Sequence, residues 1–387
     1  MNQTQIVVLG AGYAGLRAAM ELAHKSEAQV TLVNAAPVFV ERVRLHQQAS
    51  GQTIKQHSIT DLARNTKLKF VQGYVTRIDL ENHKIIADTA DGEQQIHYDY
   101  MVYALGSMID RDSVPGIREY TEVLMPDRVT ALYQKLAKLP DGSRLIICGG
   151  GLTGIESSTE LAEAFPQLKV TLVTAGPLGA NLSEVGRKHL LQTFARLNIT
   201  IQDQTRIERV EAEQIVTDKG NLAYDVALWA GSFAVPKLAQ QSGLTTNALG
   251  QIVVDSYLRS VSHPEIYAAG DAASPTGTDP YLRMACATAL PMGQHAAENL
   301  EARLKGQPQK PLVFKYMIQC ISLGRHDGLI QMVNGDDTPR EQVFTGRTAA
   351  FVKEQICRFA FKSAVKGFGK LAKILTVNQK PETAHAV

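Results

Sequence analysis

The chain has 387 residues, more than one ordinary domain of roughly 100 to 200 residues requires, so two or three domains are expected. Hydrophobic residues make up 44% and charged residues 20%, the balance of a soluble globular protein with a sizeable core, which excludes wholesale disorder. A net charge of +2, with no aromatic-studded basic stripe before the C-terminal segment, argues against nucleic acid as a partner.

The opening MNQTQIVVLG reads as running straight into a strand, so a signal peptide with its three regions is not expected. Asn2 excludes N-myristoylation, and no apolar run approaches the roughly 20 residues that span a bilayer. The four cysteines, Cys148, Cys286, Cys320 and Cys357, form no C-x-x-C pair. They read as reduced thiols in a cytoplasmic chain, with no metal site and no local redox pair.

In chain order, apolar IVVL (6–9) reads as a buried parallel strand, the Ala- and Leu-rich stretch after GAGYAG as a helix, and VTLV (30–33) as a second strand. In the glycine fingerprint, Gly10 permits the tight turn, Gly12 lets the backbone approach a pyrophosphate and Gly15 lets helix and strand pack closely. Tyr13 and Ala14 fall in the helix's first turn, where free N–H groups meet phosphates. The second strand ends on Asn34, where an acid would normally hold the ribose hydroxyls; the amide can still hydrogen-bond a diol. Residues 99–107, DYMVYALGS, form a further strand ending at Ala104 and Gly106.

The unit then repeats. VLGAGYAGLRAAMELAHKSEAQVTLVNA (8–35) returns as ICGGGLTGIESSTELAEAFPQLKVTLVTA (147–175), with Gly149, Gly151 and Gly154 as the glycines, Thr153 beside them, and Thr174 at the end of the second strand. Two βαβ units predict two doubly wound sheets and two dinucleotide sites. Thr174 carries no charge to repel a 2′-phosphate, so NADH and NADPH are both admissible; Arg187, Lys188 and Arg196 are nearby cations that also suit a solvated helix face. DVALWAGS (225–232), with Gly231, matches the earlier strand ending in glycine. PEIYAAGDAAS (264–274) is a strand followed by Gly270 and Asp271, and a helix is predicted from about Met284. Asp271 suits either a hydrogen bond from a cofactor hydroxyl or the capping of the next turn.

GAGYAG, YALGS, GGGLTGIESSTELAE, WAG and IYAAGDAA, in this order, resemble the two-dinucleotide-binding flavoprotein reductases. QGYVTRIDL (72–80), VPGIREYTEV (114–123), RMACATALPMGQHAAENL (283–300) and ISLGRHDGLIQM (321–332) narrow the resemblance to the apoptosis-inducing-factor-like and ferroptosis-suppressor flavoproteins, relatives of type II NADH dehydrogenases. The resemblance implies FAD at the first fingerprint and NADH or NADPH at the second. It implies that Asn34 meets the FAD ribose, the Val75 backbone the adenine and Asp271 the ribityl chain, with Ala285 and Cys286 beside the isoalloxazine. Glu156 matches a family glutamate near nicotinamide and flavin, and the resemblance makes it the catalytic candidate, with a helix-dipole carboxylate as the bland alternative. Arg118 falls where relatives carry Lys, and Arg44 or His46 where they carry Arg; a surface salt bridge suits Arg118 equally.

The resemblance carries no cysteine pair into APVFVERVRLHQQASG (36–51), where disulfide reductases of this kind hold theirs. The acceptor is then a quinone, a small redox protein or oxygen. Residues 349–375 place Val352, Ile356, Phe359, Phe368, Leu371 and Leu375 at approximately helical spacing, with Lys353, Arg358, Lys362, Lys366, Lys370 and Lys373 largely elsewhere on the wheel. Such a stretch can lie in a membrane interface or pack on the protein with a solvated basic face.

The expected architecture is α/β: two Rossmann-like dinucleotide-binding domains, for FAD (1–112 and 248–310) and NAD(P)H (113–247), plus a C-terminal α+β domain (311–387). The expected activity is FAD-dependent NAD(P)H:quinone oxidoreduction. A ferredoxin or rubredoxin reductase and a slow flavin redox sensor of the apoptosis-inducing-factor type are the alternatives.

Overall fold

The computed structural model describes residues 3–276 and 282–368. Its plan is laid down twice. β1 (Gln5–Leu9), α1 (Tyr13–Lys25) and β2 (Gln29–Asn34) form one βαβ unit. β3 (Arg144–Cys148), α2 (Leu152–Ala164) and β4 (Lys169–Val173) form the other, followed by α3 (Glu184–Arg196).

Each unit lies at the centre of a five-stranded sheet. The first runs 266–268, 100–103, β1, β2, 68–72, and the second 122–123, 226–229, β3, β4, 200–202, with every neighbouring pair parallel. Parallel sheets are covered on both faces, which is why Ile6–Leu9 and Leu145–Cys148 are apolar without alternation and fully buried. Each sheet also carries an antiparallel three-stranded meander, at 74–97 and 207–223. The edges differ: the first sheet takes its last strand from chain beyond the second unit, the second from chain before it.

The C-terminal part begins with α4 (Cys286–Leu304), close to the predicted start, which packs along α1. A side chain at Gly293 would drive into the backbone of Ala14, so glycine sets how closely the two helices approach. β5 (Ile318–Ser322), β6 (Gly328–Val333) and β7 (Pro339–Thr345) form an antiparallel sheet, and α5 (Gly346–Lys366) follows. This layer straddles the two units. Ile321, Leu323 and Leu329 join the core of the second, with Leu161 and Phe194, while Ala360 and Ala364 of α5 join the core of the first.

The orientation of α5 corrects the sequence expectation. Its buried stripe is made of small residues, Ala349, Cys357, Ala360 and Ala364, and it includes Lys353, which was expected on the solvated face. Small side chains let a helix approach its support closely, so the larger Phe351 and Val352 are left outside, 64% and 37% exposed. Leu371, Leu375, Lys370 and Lys373 lie outside the described residues. Among the described residues, no helix is long and apolar enough to cross a membrane.

Candidate active site

The two fingerprints have nearly the same local geometry. Gly10 and Gly149 sit in the left-handed region, at φ +91° and +126°, and a Cβ on either would meet the carbonyl oxygen of Ala104 at 2.5 Å or Ala230 at 2.6 Å. Only glycine meets both demands. A Cβ on Gly15 would run into the carbonyl of Gly10, and one on Gly154 into that of Gly149, so each helix presses directly on its own turn. Gly12 and Gly151 start α1 and α2 with no side-chain cap, and a Cβ on either would meet open space. Tyr13, Ala14 and Thr153 lie in those first turns, whose N–H groups have no partner within the helix. Uncapped helix starts facing open room fit the two pyrophosphates of FAD and a nicotinamide dinucleotide.

The remaining expected residues are distributed unevenly. Asn34 is already engaged: its Oδ1 accepts from Ala11 N at 2.9 Å and its Nδ2 donates to the Ala36 carbonyl at 2.8 Å, which ties the glycine turn to the strand end. Asp271 accepts from Ser107 Oγ at 2.6 Å rather than capping a helix, and burial, partly offset by that bond and by Arg42, raises its pKa. Gly270 meets Ala14, Gly106 borders open space, and Ala104, just past its strand, is buried with its carbonyl over Gly10. Val75 is buried in the first meander, and Gly231 lies against the Trp229 indole. Thr174 covers Gly150 from the end of β4. Arg118 is exposed and pairs with Asp112 at 2.5 Å, the surface salt bridge that suited it equally. Ala285 is the N-cap of α4 and Cys286 its first residue.

Glu156 occupies the fifth position of α2, past the first turn where a helix-dipole carboxylate would lie. The helix-dipole alternative therefore fails, because no acid lies in the first turn. Its Oε1 accepts from Lys353 Nζ at 2.9 Å and from the Ser322 backbone N–H at 3.0 Å, and Oε2 lies 3.8 Å from His46 Nδ1. Lys353 also donates to the Cys320 carbonyl at 3.1 Å. Burial, the largest influence on Glu156, works against its charge, but Lys353, His46 and the Ser322 N–H outweigh it and hold the carboxyl below its usual range. Burial likewise opposes the charge on Lys353, and Glu156 reverses that, so the ammonium persists above the usual lysine range. His46 is 3% exposed; burial brings it down to about 4 despite Glu156, so it is neutral near pH 7.

One turn on, Glu160 is buried to 1% and accepts from Arg325 Nε at 2.7 Å, with Gln52 and Ser50 on the same oxygen. Arg44 makes a two-pronged contact with Glu354 of α5 at 2.9 and 3.0 Å. Cys286, Cys320 and Cys357 all lie within electrostatic range of Lys353, and burial pushes the first two thiols up to about 11. Such thiols are poor nucleophiles and act as wall. A hollow of about 410 Å3 opens beside the cluster, with Gln47, Ser322 and Lys353 toward its floor and Arg325, Arg347 and Phe351 among its outer residues. A larger hollow of about 650 Å3, lined by Tyr257, Arg259 and Arg303, lies at the far end of α4 and takes no part in this cluster.

Lys353 is the central residue that sequence reasoning missed. The signal was the alanine stripe at 349, 360 and 364, which marks the buried face on which Lys353 also falls.

Two glycine-cradled nucleotide folds meeting at a buried acid and ammonium define a nicotinamide-dependent flavoprotein oxidoreductase. The sequence profile of the family described as Pyridine nucleotide-disulphide oxidoreductase matches residues 4–298, well over half of the chain, and the protein belongs to that family. Among curated relatives, a type II NADH:quinone oxidoreductase of Staphylococcus saprophyticus is 26% identical over 398 residues, covering 93% of this chain and 96% of that protein. An NADH dehydrogenase-like protein of Mycobacterium tuberculosis is 26% identical over 346 residues, 83% of this chain and 86% of the relative. Among solved structures, the sulfide:quinone oxidoreductase of Aquifex aeolicus aligns at a TM-score of 0.82 with 18% identity, over 97% of this chain and 96% of that one. NDH2 from Plasmodium falciparum, solved with NADH, aligns at 0.76 with 16% identity, over 96% and 98%. These structural likenesses concern the fold. The chain is an FAD-dependent oxidoreductase that uses NADH.

Proposed function

We propose that the chain passes electrons from NADH to a quinone, and that within its family it lies nearest the apoptosis-inducing-factor-like and ferroptosis-suppressor branch, whose S-L-G-R-x-D-G stretch it carries at Ser322–Gly328. The observation that carries the reading is the buried Glu156–Lys353 pair, set between the second fingerprint helix, the start of α4 and the open hollow.

FAD, when bound, supplies the chemistry that accepts hydride equivalents from NADH and releases two electrons to the acceptor. The residues of the chain do the rest. Gly149, Gly151 and Gly154 seat the nicotinamide dinucleotide on the start of α2, which aims Glu156 toward its reactive end. Two-electron reduction of a quinone consumes two protons. Lys353 Nζ, kept charged by Glu156, donates a hydrogen bond to the acceptor oxygen as negative charge develops there, and the hollow returns protons from solvent. His46, neutral near pH 7, adds no second positive charge beside Glu156. Arg187 donates to the Leu178 carbonyl at 2.8 Å and Arg196 pairs with Asp327 at 2.8 Å, so both are committed elsewhere, which supports NADH over NADPH.

The outer face of α5 and the end of β7 expose Phe344, Phe351 and Val352 beside Arg347, Arg358, Lys362 and Lys366. That mixture supports peripheral contact with an anionic lipid surface close to the hollow. F344D, on the same exposed face but outside the hollow, should abolish sedimentation with anionic vesicles and leave reduction of a water-soluble quinone unaffected.

An acceptor survey with the purified yellow protein tests the main reading. NADH should bleach the flavin, and a short-chain quinone should restore its colour within seconds. Reduced flavin persisting for minutes with quinone present would sink the quinone proposal; slow bleaching with a long-wavelength charge-transfer band would indicate a redox sensor instead.

A further inference from the structure

The loop between β5 and β6 presents Asp327, whose buried carboxylate takes part in five hydrogen bonds. Oδ1 accepts the backbone N–H of Gly328 at 2.8 Å and of Gly346 at 3.0 Å, and lies 2.9 Å from His189 Nε2. Oδ2 accepts from Thr193 Oγ1 at 3.0 Å and Arg196 Nη2 at 2.8 Å. An ionised carboxylate only accepts, so His189 carries a hydrogen on Nε2. Burial works against the charge on Asp327, but His189, Thr193 and the Gly328 N–H outweigh it and keep the carboxyl ionised.

The five donors come from two bodies. His189, Thr193 and Arg196 lie on one face of α3 in the second unit, at spacings of four and three residues. Gly346 is the first residue of α5, whose N-cap, Thr345, makes no side-chain cap. Asp327 therefore supplies from outside the acceptor and the negative charge that a helix start favours. The other end of α3 is fixed separately, because Gln331 Oε1 accepts from Ser183 N at 3.1 Å and Ser183 Oγ at 2.8 Å.

Lys353 lies seven residues beyond Gly346, two turns and about 10 Å along α5 on nearly the same face. The position of the first turn of α5 thus sets where the ammonium falls relative to Glu156. We propose that Asp327 is a positioning residue for the acceptor half of the reaction: it locks the start of α5 to α3 and so holds Lys353 Nζ on Glu156. This rests on the reading that the Glu156–Lys353 pair serves acceptor reduction.

Asp327→Asn tests it in the holoenzyme. The amide has one acceptor oxygen and turns two N–H groups toward donors, so α5 should lose its anchor while Gln331 still holds the start of α3. Flavin bleaching by NADH should stay within about twofold of wild type, while reoxidation by a short-chain quinone slows about tenfold. Independently of turnover, acylation of Lys353 by an N-hydroxysuccinimide ester, read by peptide mass spectrometry, should rise about fivefold or more, with exposed Lys188 unchanged as the internal standard. Arg196→Ala and His189→Ala, each removing one donor, should give smaller increases, and they carry the test if Asp327→Asn does not fold. A uniform loss of both half-reactions, or Lys353 labelling that stays at the wild-type level in all three variants, overturns the proposal. Lys353→Met measured alongside separates the two readings. If it slows reoxidation and the Asp327 variants do not, the positioning role alone fails; if Lys353→Met itself leaves reoxidation unchanged, both fail.

Discussion

Gly12 and Gly151 begin their helices with almost the same backbone, φ and ψ of −72° and −171° against −71° and 179°, and the two helices then diverge in what they bury. The fifth residue of α1 is Arg17 and the fifth of α2 is Glu156; one turn later come Glu21 and Glu160. All four are buried. In α1 the charges close on themselves, since Arg17 pairs with Glu21 four residues on, and Lys25 also reaches Glu21. In α2 both acids are left for partners outside the helix, Lys353 and Arg325, which the C-terminal layer supplies. α5 touches the same position of both repeats, taking a hydrogen bond from Arg17 on the Ser363 carbonyl at 3.4 Å and giving one to Glu156 from Lys353. The duplicated backbone builds two glycine cradles of the same shape; the side chains one turn in close the charges of one helix on itself and leave those of the other to partners from the C-terminal layer.

The largest effects should come from breaking the shared part. Gly15→Ala and Gly154→Ala each drive a methyl into a carbonyl, costing about 3 kcal/mol or more. Gly15→Ala should yield protein that does not retain flavin through gel filtration, whereas Gly154→Ala should keep its yellow colour and lose bleaching by NADH. If both lost flavin equally, the assignment of the two cradles to different nucleotides would be wrong.

The unshared part comes next. Lys353→Met strands a buried carboxylate and should destabilise the fold by about 3 to 5 kcal/mol, measured by urea unfolding, while the double variant with Glu156→Gln should recover much of that loss. Arg17→Met should cost less, about 2 kcal/mol, because Lys25 remains on Glu21. Equal losses at positions 17 and 353 would erase the contrast between the helices.

Acid sensitivity follows from His46, whose pKa falls from 6.5 to about 4 on folding. Between those values the unfolded chain binds the extra proton, so stability should fall by about 3 kcal/mol as pH drops from 6.5 to 4, and His46→Asn should flatten that limb. Glu156, held below its unfolded value, adds stability that is present above that value and lost as pH falls through its folded pKa. Lys353, held above its unfolded value, adds stability that is lost only as pH rises through its own folded pKa. The pair therefore leaves the neutral range flat. The smallest effect is expected at the surface: Arg118→Ala should change neither Tm nor the rate of bleaching by NADH, since water screens its pairing with Asp112.

What was legible in sequence was whatever the backbone itself demands. Gly15 and Gly154 are required by a close approach to the turn five residues before them, and Gly10 and Gly149 by the left-handed backbone of that turn, so a local motif reports them faithfully. Glu156 was legible as a position but not as a pair, because its partner lies 197 residues away on a helix whose lysines all read alike as solvated charges. Only packing distinguishes Lys353 from Lys362, and that packing is set by alanines too small to stand out on a helical wheel. Asn34 shows the opposite limit: its type suited a ribose diol, yet both ends of its amide are engaged by neighbouring backbone. Arg118 could not be settled by spacing because its competitor for a role, Asp112, is a near neighbour in sequence.

The measurement that bears most directly on the account is anaerobic double-mixing stopped flow on wild type and Lys353→Met, with NADH in the first mix and a short-chain quinone in the second. Bleaching by NADH should proceed at nearly the wild-type rate in the variant and flavin reoxidation should slow by about a hundredfold, the effect of removing a positioned donor of charge and proton. Reoxidation at the wild-type rate in a folded, flavin-loaded variant would contradict it.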